Sequence, residues 1–167
     1  MDRRRLLGFS LTLPLLAHRP VLALEPAASA PVLTVSGKLS QPNAGQVAAF
    51  DMPMLARMAQ ASIVTSTPWF PQARKFTGPL LRTVLAAAGA QGTALRAIAL
   101  NDYRVDIPFD DALHIDVVLA RLLDNKPMPV RDKGPLFIIY PFDQQIELRN
   151  AVYYSRCAWQ LKGIEVL

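Results

Sequence analysis

The segment FTGPLLRTVLAAAGA, residues 76–90, is the clearest helix signal in the sequence. Thr77, Gly78 and Pro79 predict its start and Gly89 its end, because proline suits a first helical turn and glycine a C-terminal cap. One face of this helix is apolar and is formed by Leu81, Val84, Leu85 and Ala88. Strand-like segments surround the helix, and this combination predicts a mixed α+β domain rather than a doubly wound α/β fold.

Alternating or continuous apolar runs predict most of the strands. They are VLTVSGKL (32–39), ASIVTSTPWF (61–70), LFIIY (136–140) and WQLKGIEVL (159–167). Two further strands are predicted in ALRAIALNDYRVDIPFDD (94–111), around a turn at Asn101 and Asp102. In DVVLARLLDNKPMPV (116–130) the turn residues Asp124 and Asn125 and two prolines favour a strand, a turn and an irregular loop over a helix.

A second, short helix is predicted after Asp51, which has the side chain of an N-terminal cap. Its apolar residues Met54, Leu55 and Met58 have helical spacing, and we expect them to belong to the core. The sheets should therefore be accompanied by only a few short helices.

The N-terminal 23 residues have the pattern of a cleaved signal peptide. Three consecutive arginines precede an apolar run from Leu6 to Ala17, which is too short and too interrupted by Pro14 to span a bilayer. We therefore expect a signal peptide at 1–23, a mobile leader at 24–31, a single domain at 32–167 and a periplasmic location. The ordinary and twin-arginine export routes both remain open.

The net charge argues against nucleic-acid binding. The formal charge of +5 falls to +2 without residues 1–23, since these contain four arginines and one aspartate. No stripe of clustered cations with interleaved aromatic residues follows residue 24.

Cysteine and histidine are too scarce for several common kinds of site. Cys157 is the only cysteine, so the chain cannot form an internal disulfide. Beyond the predicted signal peptide His114 is the only histidine, which argues against a zinc site and against a Ser-His-Asp triad. We expect His114 to be a surface or capping residue.

Three segments resemble a known family in order and spacing. FTGPLLRTVLAAAGA, the block from DYRVDIPFDD to FIIYP, and WQLKGIEV are similar to the core of the oxidoreductase molybdopterin-binding domain. Sulfite oxidases, plant-type nitrate reductases and the catalytic subunit of the periplasmic methionine sulfoxide reductase share this domain. The resemblance covers about residues 32–167 and is strongest to short exported members. It implies a sulfite oxidase-like fold and makes molybdopterin a candidate cofactor.

The resemblance gives the turn VRDKGP two interpretations. In the family, this turn helps to hold the phosphate of the pterin, which would make Arg131, Lys133 and the Gly134 backbone an anion cradle, with Lys162 as a further cation. The alternative is a solvated turn in which Gly134 serves only the backbone geometry. The chain is one residue shorter than the family between this glycine and the following proline, and both interpretations stay open.

The metal ligand of the family is missing from its expected place. Redox-active relatives hold molybdenum through a cysteine thiolate on the loop before the main helix, where this chain has Thr65, Ser66 and Thr67. Cys157 lies elsewhere and is either a packing residue or an unusual ligand. The sequence therefore predicts that molybdenum catalysis is lost, whereas pterin binding stays open.

Two functions follow as alternatives. The first is a non-catalytic periplasmic protein that binds a small anion or a partner such as a sensor domain, and the second is a molybdopterin-dependent oxidoreductase with unusual ligation. For either function we predict one cleft formed by a set of loop residues and strand ends: Thr65, Thr67, Trp69, Asn101, Asp102, Tyr103, Arg131, Lys133 and Arg156.

Overall fold

The structure is a computed structural model and describes residues 23–167. The signal peptide predicted for residues 1–23 lies, except for Ala23, outside the described residues. Eleven strands and four short helices make up the regular part of the described chain: β1 (Leu33–Gly37), β2 (Ala48–Phe50), α1 (Met52–Arg57), β3 (Gln60–Thr67), β4 (Phe70–Pro79), α2 (Leu81–Ala87), β5 (Ala94–Ala99), β6 (Arg104–Pro108), α3 (Phe109–His114), β7 (Val118–Ala120), β8 (Leu122–Leu123), β9 (Lys126–Pro127), β10 (Phe137–Ile139), α4 (Ala151–Arg156) and β11 (Leu161–Val166).

The strands form three sheets, so the predicted α+β architecture with mixed sheets and a few short helices is confirmed. A five-stranded sheet has the order β2-β1-β11-β5-β6, a four-stranded sheet has the order β3-β4-β8-β9, and β10 pairs with β7. The first and last strands of the domain, β1 and β11, are parallel, with Thr34 opposite Gly163. All other strand pairs between these elements are antiparallel.

The core lies between the sheets and α2. Every residue of the pair β7–β10 is buried, as expected for the continuous apolar run LFIIY. The predicted apolar face of α2 is also buried, and Gly89 ends this helix with a φ of +61°. Fully burying a side chain such as Leu81 contributes about 2 kcal/mol to folding.

Local turn and cap signals were confirmed where they were strongest. Asp51 caps α1 by accepting a hydrogen bond from the Met54 amide at 2.8 Å. Asp102 adopts a φ of +63° in the β5–β6 turn, where it takes the place of the favoured glycine. Asp124 and Asn125 both have positive φ and join β8 to β9, as the predicted turn requires.

Other predicted boundaries were wrong. Thr77, Gly78 and Pro79 end β4 instead of starting a helix, and α2 begins at Leu81. β4 itself was not predicted, because its QARK segment has no apolar alternation and its pairing with β3 decides its conformation. The second strand of the 94–111 segment ends at Pro108, where α3 starts.

The segment that precedes the domain is hydrogen-bonded to it. The amides of Ala28 and Ser29 each donate to the Asp51 carboxylate at 2.9 Å. The mobility predicted for residues 24–31 stays a prediction. Among the described residues, no helix combines the length and apolar composition that crossing a bilayer requires.

Candidate functional site

An aromatic cavity of about 320 Å³ lies where the β3–β4 turn, the β5–β6 turn and α4 meet. The β3–β4 turn supplies Trp69, whose ring is 5.3 Å from Trp159 and 6.2 Å from Tyr154, nearly perpendicular to both. Edge-to-face pairs of this kind stabilise a fixed arrangement of rings. The walls of the cavity consist of Trp69, Ala99, Asn101, Tyr103, Tyr154, Ser155, Cys157 and Trp159.

Neutral polar groups lie at the side of the cavity formed by the β5–β6 turn. The Asn101 side-chain oxygen accepts a hydrogen bond from the Tyr103 amide at 3.2 Å. The Tyr103 hydroxyl donates to the Ser155 carbonyl at 2.9 Å and so ties this turn to α4. All eight lining residues lack a formal charge as long as the Cys157 thiol is protonated.

Cys157 contributes a neutral thiol to the wall. Its residue is 2% exposed, and burial raises the pKa of the thiol well above its usual value. A thiol acts as a nucleophile or a metal ligand only as the thiolate, so this environment favours a packing role.

A basic groove adjoins the cavity across the Trp159 ring. It is lined by Phe70, Arg74, Leu123, Lys126, Pro127, Met128, Pro129, Arg131, Asp132 and Lys133. Lys133 Nζ lies 4.1 Å from the centroid of the Trp159 ring, which is the distance of a cation–π contact. Trp159 lines the cavity, and the Lys133 ammonium group in the groove contacts the ring of this tryptophan.

The turn around Gly134 has a structural explanation. A Cβ atom at Gly134 would lie 1.9 Å from the Met128 carbonyl oxygen, so only glycine fits. The Gly134 amide, which an anion cradle would direct at a phosphate, donates to the Pro129 carbonyl at 3.0 Å. Arg131 is highly exposed, and its closest carboxylate is that of Asp132 at 3.9 Å.

Thr65 and Thr67 lie at the end of β3 and do not line the cavity. Thr65 is 1% exposed, and its hydroxyl accepts a hydrogen bond from the Asp143 amide at 3.1 Å. Thr67 Oγ1 is buried and has no hydrogen-bond partner among the described residues. Burial alone would raise the pKa of the Asp143 carboxyl, but hydrogen bonds from Arg149 and Ser66 outweigh it and lower this pKa.

Three further predicted residues form ion pairs outside the cavity. Lys162 donates to Asp102 at 2.8 Å, and this hydrogen bond lowers the pKa of the Asp102 carboxyl. Arg156 donates to Asp111 at 2.8 Å, and the same carboxylate oxygen accepts the Tyr140 hydroxyl at 2.8 Å. This second pair anchors α4 to the core.

The structure thus brings together only part of the predicted cleft. Trp69, Asn101 and Tyr103 line the aromatic cavity, and Arg131 and Lys133 line the adjoining groove. The remaining members Thr65, Thr67, Asp102 and Arg156 lie outside both, as do Gly134 and Lys162 of the predicted anion cradle. The sequence reasoning missed Tyr154, Ser155 and Trp159, although the aromatic density of YYSRCAW was a visible signal.

One solved structure similar to this one is that of the sulfane dehydrogenase SoxCD from Paracoccus pantotrophus. The TM-score is 0.59 and the identity 14%, and the alignment covers 80% of this chain and 37% of that chain. This chain therefore spans little more than a third of the protein that it matches. No protein-family model and no curated protein matches the sequence. At this identity the similarity shows the fold alone.

The donors of this chain do not fit the molybdenum cofactor that the resemblance in the sequence makes a candidate. Thr65 offers a neutral hydroxyl that is already hydrogen-bonded, and Cys157 offers a protonated thiol. The Gly134 amide is bonded within its own turn. Among the described residues, no three His, Cys, Asp or Glu side chains cluster as in a metal site.

Proposed function

We propose that the protein is a non-catalytic binding protein that holds a small planar organic ligand in the aromatic cavity. The observation that carries this proposal is the convergence of four aromatic side chains and the Asn101 amide on one cavity of about 320 Å³. Ligand sites typically combine apolar, aromatic walls with a few polar groups, and their volumes begin at about 300 Å³. The perpendicular rings give the cavity a rigid shape that suits a flat molecule.

The predicted signal peptide supports a place of action in the periplasm. The test is the intact mass of the exported protein, which should lack residues 1–23. A mass that still includes Met1 to Ala17 would contradict this part of the proposal.

Both tryptophans of the chain line the cavity, which makes a direct binding test possible. In a proton–nitrogen correlation spectrum of labelled protein, the indole N–H signals of Trp69 and Trp159 should shift together as neutral indole-3-carboxamide is added. A saturable shift would support the proposal, and unchanged indole signals at millimolar ligand would contradict it.

A variant that fills the cavity tests where the ligand binds, and a second variant with the same substitution elsewhere serves as its control. Ala99 lies in the cavity wall and is 1% exposed, so Ala99→Leu should abolish or strongly weaken binding by occupying the space of the ligand. Ala86→Leu adds the same atoms on the exposed side of α2 and should leave binding unchanged. If both variants bind like the wild type, the ligand occupies another place.

The second candidate function, a molybdopterin-dependent oxidoreductase, is supported by the fold similarity. Protein exported from a host with a working molybdopterin pathway is expected to contain far less than one molybdenum per chain, as measured by mass spectrometry. Stoichiometric molybdenum would favour this second candidate. In that case Cys157→Ser would show whether the thiol holds the metal, whereas Thr65→Cys is the substitution to try for restoring a ligand.

A further inference from the structure

Lys133 is held in a fixed position beside the aromatic cavity. Its backbone adopts the left-handed conformation with a φ of +72°, which is rare for residues other than glycine and costs roughly 1 kcal/mol or more. The Lys133 carbonyl accepts a hydrogen bond at 3.0 Å from the amide of Gln160, the residue that follows Trp159. The side chain then places Nζ 4.1 Å from the Trp159 ring and 6.0 Å from the Phe70 ring.

The ammonium group of Lys133 is not neutralised by any described carboxylate. Arg74 in the same groove pairs with Asp124, and Lys162 pairs with Asp102. Lys133 forms no ion pair within residues 23–167, and its cation instead contacts two aromatic rings. The Lys133 ammonium group therefore lies without an ion-pair partner among the described residues, in contact with the ring of Trp159, which lines the cavity.

The lining of the cavity contains no charged side chain that would neutralise Lys133. Its lining carries no carboxylate and no cation, and its walls are mainly aromatic. The electrostatic interaction between a ligand and Lys133 is therefore stronger than it would be in bulk water. Lys133 would repel a cationic ligand in the cavity and attract an anionic one.

The hydrogen-bonding groups of the cavity also favour a negatively charged ligand. The Asn101 amide nitrogen and the Trp69 indole nitrogen donate no hydrogen bond to another described residue, so both can donate to a ligand. Donors without a competing carboxylate suit a ligand that brings acceptor oxygens. Together with the aromatic walls of the cavity, this describes an aromatic carboxylate.

We propose that the ligands of this cavity are planar aromatic carboxylates, and that Lys133 is the residue that sets the preference for a negative charge. This inference rests on the proposed binding function. The charge acts through Trp159 without touching the ligand, so Lys133 changes which ligands bind and leaves the shape of the site intact.

The experiment uses three ligands that share the indole ring and differ in the charge of a small substituent, on the full mature protein: indole-3-carboxylate, indole-3-carboxamide and 3-(aminomethyl)indole. Dissociation constants come from the indole N–H shifts of Trp69 and Trp159. The wild type should bind the carboxylate most tightly and the ammonium compound most weakly. Lys133→Met keeps most of the apolar stem and should reduce the ratio between these two dissociation constants about tenfold, since it removes one unit charge at short range.

Three controls make the outcome unambiguous. Lys126→Met removes an exposed charge from the same groove, but this charge is not the one that contacts the Trp159 ring. The ratio of the two dissociation constants should stay within about twofold of the wild-type ratio, because solvent and salt screen exposed charges. Lys133→Arg should retain the preference. Binding of the neutral carboxamide should be the same in all variants.

Each other result overturns the inference. An unchanged ratio in Lys133→Met, or an equal loss in Lys126→Met, would show that Lys133 does not set the preference. A wild type that binds carboxamide but does not prefer the carboxylate would refute the ligand class and leave the binding function standing. A wild type that binds none of the three would refute both.

Discussion

Replacing Arg156 with methionine should destabilise the fold, because the ion pair of Arg156 with Asp111 anchors α4. Its Nη1 donates to Asp111 at 2.8 Å, and the side chains of the two residues are only 17% and 10% exposed. In the wild type the Arg156 guanidinium lies 4.9 Å from the centroid of the Tyr153 ring. Methionine keeps an apolar stem beside this ring. It leaves the Asp111 carboxylate with Tyr140 as its one side-chain partner among the described residues.

The expected loss is about 2–3 kcal/mol in the free energy of unfolding. Removing one partner of a fully buried ion pair costs about 3–5 kcal/mol, and the partial exposure of this pair lowers that figure. Tyr140→Phe removes only one hydrogen bond to the same carboxylate and should cost about 1.5–3 kcal/mol.

Urea unfolding followed by circular dichroism measures these losses, and a double-mutant cycle with Asp111→Asn separates the pair from its surroundings. The two changes together should cost clearly less than the sum of the single changes. A loss below about 0.5 kcal/mol for Arg156→Met, the range of ordinary surface substitutions, would refute the anchoring role. Arg156 would then be available for the ligand-binding role that the sequence suggested.

Three further predictions concern other parts of the fold. Gly134→Ala should cost at least 1–3 kcal/mol in urea unfolding, because its Cβ would overlap the Met128 carbonyl, whereas Gly163→Ala meets only ordinary contacts and serves as the control. The hydrogen bond from the Met54 amide lowers the pKa of the Asp51 carboxyl, although burial alone would raise it. The ionised carboxylate therefore stabilises the fold above about pH 4. This stabilisation is lost as the pH falls through the pKa of the folded state. Asp51→Asn should therefore flatten the acid limb of the stability profile measured by urea unfolding. Cys157 should react with a thiol reagent far more slowly in the native protein than in urea, because it is buried and its pKa is raised.

Each of the three has a result that would contradict it. If Gly134→Ala and Gly163→Ala lowered the free energy of unfolding equally, the steric explanation for Gly134 would be wrong. An acid limb of unchanged slope in Asp51→Asn would mean that other carboxyls dominate the acid response. Rapid labelling of native Cys157 at neutral pH would show that the cavity wall opens readily.

The sequence was informative wherever a few neighbouring residues decide the conformation. Gly89 ends α2, Asp51 caps α1 and Asp102 adopts the positive φ of its turn, and each effect acts within about four residues. The continuous apolar run at 136–140 likewise predicts a fully buried strand on its own. The fold class followed from the order of these local elements.

The candidate site was less predictable because its residues are distant in the chain. Trp69 and Asn101 were predicted together from the resemblance and do line one cavity, but Trp159 was not named. Arg156 and Lys162 are cations in the expected segments, yet each is paired with an aspartate. No local pattern reveals such a partner, since the contact depends on how the sheets pack.

The sequence by itself determined the elements with strong local signals, such as α1, α2 and the buried strand at 136–140, as well as the single thiol and the hydroxyl residues at 65–67. Only the tertiary structure decided which residues meet: Thr65 with Asp143, the two tryptophans in one cavity, and Lys133 with the ring of Trp159. The physical reason is range. Caps, turns and apolar periodicity act between neighbours in the chain, whereas a binding site depends on burial, ring contacts and uncompensated charge, which arise only when distant segments pack together.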